Sequence, residues 1–142
     1  MQARLMLGFA LVLALGCGGR KFAPVSGKVT LNGKPVANAV VAFNPIPKEG
    51  SSEAGPGSVG TTNEYGEFTL KVGRNQKGAL VGKHRVAISA MNPQIGESDA
   101  RIARGRGPLV NTIPSRYNDK SELTFEVPSG GSDEANFDLK SP

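Results

Sequence analysis

Sulfur and imidazole are nearly missing from this chain: its 142 residues hold one cysteine, Cys17, and one histidine, His84. A single thiol excludes an intramolecular disulfide, so stability has to come from packing. Without a Cys/His cluster the usual structural zinc sites are excluded as well. Tryptophan is absent and aromatic residues make up 6%, which leaves little for the stacking platform common in carbohydrate sites. No apolar run approaches the roughly 20 residues that a helix needs to cross a bilayer. Charge of one sign is also scarce, with a formal net charge of +5 that becomes +4 if Arg4 is removed with the N-terminus. So mild a basic balance reads first as a solvated surface, with anionic lipid or polymer as its natural partner class. No Asp-x-Asp-x-Asp-Gly spacing occurs. Glu64, Glu67, Asp119, Glu122, Asp133 and Glu134 therefore read as solvated turn acids, not as a calcium site.

What the chain does have begins at its N-terminus. Met1–Arg4 carries one positive charge, and Leu5–Gly16 is apolar. That length suits the hydrophobic region of a signal peptide. Small residues, Ala14 and Gly16, flank the point just before Cys17. Leu13-Ala14-Leu15-Gly16-Cys17 resembles the bacterial lipobox, with Ala14 where leucine is commonest. The resemblance implies cleavage between Gly16 and Cys17 and a diacylglyceryl thioether on Cys17. Each buried acyl methylene adds about 0.8 kcal/mol, and more than one chain makes the anchoring stable. Residues 1–16 are then signal peptide, and 17–24 a lipidated cysteine with a short, flexible, basic tether. Gly18–Pro24 spans at most about 25 Å when extended.

The 19 glycines and 10 prolines predict many turns and short strands. Seven β segments are expected, Val25–Leu31, Ala39–Phe43, Ser58–Thr62, Glu67–Val72, Leu80–Ala90, Leu123–Val127 and Ala135–Leu139, with alternation clearest in Val25–Leu31, Glu67–Val72 and Leu123–Val127. Asn32-Gly33 is the strongest hairpin signal in the chain. Pro45 and Pro47 are expected to end the second strand. Residues 91–121 read as a long irregular loop rich in Pro, Gly and Arg, with a helical turn over Ser98–Ala103. Such a stretch in a small domain is often functional. The pattern predicts an all-β fold, a seven-stranded antiparallel β-sandwich over 25–142 preceded by the lipoprotein signal peptide.

Three stretches carry a family resemblance. Val25-x-Gly27-x-Val29 with Asn32-Gly33-Lys34-Pro35-Val36 and Ala39-x-Val41-x-Phe43 resembles the start of a carboxypeptidase regulatory-like domain. Thr62-Asn63-Glu64-Tyr65-Gly66-Glu67-Phe68 is similar to that family's Thr-Asp-x-x-Gly-x-Phe turn, with Asn63 in place of Asp. Gly82-x-His84-x-Val86-x-Ile88 is similar to its Gly-x-Tyr-x-Val-x-Val strand, with His84 in the tyrosine place. The whole layout, including Pro114-Ser-Arg-Tyr117-Asn118, also resembles small planctomycete-type bacterial lipoproteins. The resemblance implies a transthyretin-like (prealbumin/Ig-like) sandwich and no activity, since function does not follow from a fold.

Candidate chemistry is sparse. His84 falls on an apolar strand face and reads as a packed core histidine, with no nucleophile spaced to pair with it. Arg101, Arg104 and Arg106 form a basic loop suited to anionic polymer, phosphate or sulfate, because guanidinium makes bidentate contacts. No aromatics interleave these arginines, so nucleic acid is not expected. Tyr117 is either a pocket aromatic for sugar or peptide or a packing residue at the sheet edge. No catalytic residue, metal site or cofactor is expected. The expected function is a non-catalytic, membrane-anchored lipoprotein with a structural or binding role at the cell envelope. Its partners would be membrane lipid through acylated Cys17 and an envelope protein or polymer. The competing expectation is an accessory or solute-binding (sugar or peptide) subunit of an envelope enzyme or transporter, which calls for a pocket with converging polar groups.

Overall fold

Alternation along the strands sorts the side chains into one buried layer between two sheets. The structure, a computed structural model, describes residues 19–93 and 109–142. The described residues form an all-β fold of fourteen strand segments, with one 3₁₀ turn at Ser115–Tyr117 and no α-helix. The larger sheet has six strands in the order β13 (Thr124–Val127), β10 (Gly82–Ser89), β4 (Val40–Pro45), β5 (Ser58–Thr61), β7 (Lys71–Val72) and β8 (Gln76–Lys77). The smaller sheet centres on β2 (Ser26–Leu31), which pairs with β14 (Phe137–Leu139), β3 (Lys34–Pro35) and β6 (Glu67–Thr69). Two short pairs complete it: β1 (Phe22–Ala23) with β9 (Ala79–Leu80), and β11 (Met91–Pro93) with β12 (Leu109–Asn111).

The core lies where the two sheets face each other. Val41, Phe43, Val86 and Ile88 from the larger sheet meet Val29, Phe68, Phe137 and Leu139 from the smaller. The few aromatics concentrate here. Phe43 contacts Phe125 at 5.6 Å and Phe137 at 6.1 Å between ring centroids, and Phe137 also contacts Phe68 at 6.4 Å. These tilted, edge and stacked contacts add to the area term of burial.

The turns follow their residues. Asn32 (φ 52°) and Gly33 (φ 79°) both take positive φ, as a tight hairpin between β2 and β3 requires. Gly27 is glycine for a different reason. A Cβ there would sit 1.9 Å from the carbonyl oxygen of Ala135, so only glycine lets the two backbones approach.

Four expectations change. The sandwich is not wholly antiparallel, because β14 runs parallel to β2 with Phe137 beside Val29. The strand expected over Glu67–Val72 divides between sheets: β6 pairs with β2, and β7 joins β5. Leu70 is the crossing point, where its N–H donates to Val25 O and its carbonyl accepts from Gly78 N–H. The tether expected over 17–24 is docked from Lys21 onward. Val81 N–H donates to Lys21 O, Phe22 and Ala23 pair with Leu80 and Ala79, and Ala23 is buried. The stretch expected as a loop over 91–121 carries ordered structure at both described flanks, β11 and then β12 with the 3₁₀ turn. Strand β4 also continues to Pro45, whose register partner is His84.

These registers fix two opposite ends. Ser26, the finish of β4, the starts of β5 and β10, and the incoming N-terminus share one end. The Asn32–Gly33 turn, the Asn63–Gly66 turn and the C-terminus share the other, where Val29 N–H donates to Gly66 O and Asn32 N–H to Leu139 O.

Candidate functional site

The Thr62–Phe68 motif of the sequence is a folding device. Thr62 is buried, its hydroxyl donates to Val36 O (2.6 Å) and accepts from Ala39 N–H (2.8 Å). Asn63 Oδ1 accepts from the amides of Tyr65 (2.9 Å) and Glu67 (3.0 Å), an Asx-type turn. Gly66 sits at φ 77°, and a Cβ there would lie 2.5 Å from Val29 O. Phe68 closes the motif in the core.

His84 is fully buried beside Phe43, with ring centroids 5.5 Å apart. Its Nε2 lies 2.7 Å from Leu80 O. A carbonyl only accepts, so Nε2 carries a proton and donates. Nδ1 has no partner among the described residues. The hydroxyl of Ser58, also buried, is in the same position. No group of three or more His, Cys, Asp or Glu side chains among the described residues is arranged to hold a metal ion.

Tyr117 is half-buried against the core at the C-terminal end. Its hydroxyl oxygen accepts from Lys140 N–H (3.1 Å), and the Arg116 guanidinium lies 4.8 Å over its ring. Arg116 also donates to Lys140 O. The Lys140 amide, and then Arg116, hold the phenol below its ordinary value of 10.0, because both favour the phenolate. Cys17, Gly16, Arg101, Arg104 and Arg106 lie outside the described residues, as does the expected helical turn at Ser98–Ala103.

The most built concavity is at the N-terminal end. A groove of about 590 Å³ opens between the incoming chain, the Pro45–Lys48 segment and the start of β10. Arg20, Lys21, Lys48 and Lys83 bring four cations to it, against Glu53 and Glu126. Arg20 and Glu53 form the one ion pair among the described residues, at 3.4 Å and well exposed. Ile46, between two prolines, is 39% exposed at its rim, and its N–H donates to Lys83 O (2.8 Å). Tyr117 does not line this groove. A second hollow, about 560 Å³, lies on the outer face of the larger sheet over Val40, Ala42 and Ala87.

No protein-family model, curated protein or solved structure matches this chain. Among the described residues no helix is long and apolar enough to cross a membrane.

The groove was not anticipated as a site. Its lining comes from four separated stretches, and Ile46 reads in sequence only as the residue between two strand-ending prolines. The one available signal was an apolar residue, flanked by Pro45 and Pro47 and followed by Lys48, where a polar loop should begin.

Proposed function

We propose that this chain is a non-catalytic lipoprotein, anchored through lipid on Cys17, whose β-sandwich serves a structural or binding role at the cell envelope. The single observation that carries this reading is the closeness of the folded body to the cysteine. Lys21 is already hydrogen-bonded to Val81, so three residues, Gly18, Gly19 and Arg20, separate Cys17 from the domain. A thiol at the end of an apolar run and beside a rigid body suits a membrane-proximal anchor. The all-β core supports a domain of the prealbumin/Ig-like kind, related in plan to carboxypeptidase regulatory-like domains. The Thr62–Phe68 turn supports it further, since Thr62, Asn63, Gly66 and Phe68 each have a folding role. Membrane lipid is the first partner, and an envelope protein or polymer the second.

Detergent phase partitioning tests this. Expressed in a host that processes lipoproteins, the wild-type chain enters the detergent phase and Cys17→Ala stays in the aqueous phase. Equal recovery of both chains in the aqueous phase rejects the reading.

A further inference from the structure

We propose that the groove at the N-terminal end is a docking surface for an anionic phospholipid bilayer, with Lys21, Lys48 and Lys83 over the lipid phosphates and Ile46 at headgroup depth. This rests on the reading of Cys17 as acylated, and it adds an orientation: the domain meets the membrane by one defined end.

The occupant follows first from where the chain leaves the body. Lys21 O accepts from Val81 N–H at 2.9 Å, which fixes the last anchored point. Cys17 precedes it by four residues and so lies within about 14 Å of it even when extended. Acyl chains inserted from Cys17 hold this end against the headgroups and leave the Tyr65 turn at the far end. Charge complementarity is the second ground. Glu53 is engaged by Arg20 at 3.4 Å, while Lys21, Lys48 and Lys83 form no ion pair among the described residues, although Glu126 stands opposite Lys83 in register. A lysine near an anionic membrane gains about fivefold in partition, and the gain falls off within a Debye length. Shape is the third. Pro45 and Pro47 bracket Ile46, and its N–H is tied to Lys83 O, so a partly exposed apolar side chain is held out rigidly beside the cations. An apolar side chain at the rim of a groove lined by three lysines matches an interface that is oily below and negatively charged above.

The test uses the full processed chain on vesicles of equal parts phosphatidylcholine and phosphatidylglycerol, and on phosphatidylcholine alone. With Cys17 acylated, a single introduced cysteine is the only free thiol. A fluorophore is placed at Ser51→Cys, on the groove, or at Tyr65→Cys, on the opposite end. Quenching by a headgroup nitroxide lipid is read for each. The expected result is several-fold stronger quenching at position 51 than at 65 on the anionic vesicles. Combined Lys21→Glu, Lys48→Glu and Lys83→Glu should shrink that difference to the part the short tether alone imposes, while flotation through the acyl chains and the melting transition are retained. Equal quenching at the two positions overturns the proposal, and so does a difference indifferent to both charge reversal and phosphatidylglycerol. Thiol labelling of the wild type separates the two claims. If Cys17 takes the label, the anchor reading fails by itself, and the groove is judged by flotation of the unacylated chain. Binding to anionic but not neutral vesicles then supports docking, and no binding overturns it.

Discussion

His84 Nε2–H donates to the carbonyl oxygen of Leu80 across 2.7 Å, and Leu80 is the residue that pairs with Phe22. The only histidine thus pins the strand on which the incoming N-terminus is laid. Replacing His84 by alanine removes a buried ring packed on Phe43 and one hydrogen bond. About 3 kcal/mol of stability should be lost, most of it to the cavity. Hydrogen exchange should rise first at Ala23 and Val81, because β1 and β9 lose their tie to β10. Denaturant unfolding and amide exchange check both effects.

Two glycines should be intolerant for separable reasons. Gly27→Ala drives a Cβ to within 1.9 Å of Ala135 O, and no flexible side chain is there to yield. Gly66→Ala combines a 2.5 Å approach to Val29 O with a φ of 77°. Each should cost about 2 kcal/mol or more. Gly33→Ala should cost less, since its Cβ meets nothing within 4 Å and only the positive φ is strained. Thermal unfolding of the three variants orders them.

Buried hydroxyls should split in sign. Thr62→Val removes two hydrogen bonds that hold the Val36–Ala39 turn, and should cost about 1–3 kcal/mol. Ser58→Ala removes a buried hydroxyl without a partner among the described residues. It should leave stability unchanged or raise it by up to about 1 kcal/mol. A large loss for Ser58→Ala in the same unfolding assay would contradict the packing described.

The Tyr117 phenolate should form below pH 10.0, and the shift should shrink in Arg116→Gln. Its folded-state value is depressed, so the unfolded chain holds this proton to higher pH. The linked stability is therefore absent at neutral pH, grows as pH rises through the folded-state value and is complete above 10.0. Phenolate absorbance, compared between wild type and Tyr117→Phe, reads it directly.

Much of the fold was legible because its signals are local. Val29, Phe68 and Leu70 alternate with polar residues, Val41, Phe43, Val86 and Ile88 fall at every second position of their strands, and all are buried. The Asn32-Gly33 hairpin needs only its two residues. The β1–β9 pair was not legible, since two residues cannot display a period, and the Gly-Gly-Arg-Lys approach suggested a free tether. The parallel pairing of β14 with β2 joins segments more than 100 residues apart, where no turn sets the register. The crossing at Leu70 was hidden because one uninterrupted alternation serves both sheets. Of the candidate residues, Tyr117 was left between a pocket aromatic and a packing residue at the sheet edge, because its bond to Lys140 could not be read without the register of the C-terminus. The groove escaped for the same reason, being made by register and not by any one motif.

Intact mass of the mature chain tests the central claim most directly. The expected mass is that of residues 17–142 carrying diacylglyceryl on Cys17, with Cys17→Ala lacking the lipid increment. A mature chain that begins elsewhere, or that begins at Cys17 with a free thiol, would contradict the anchor on which the envelope role depends.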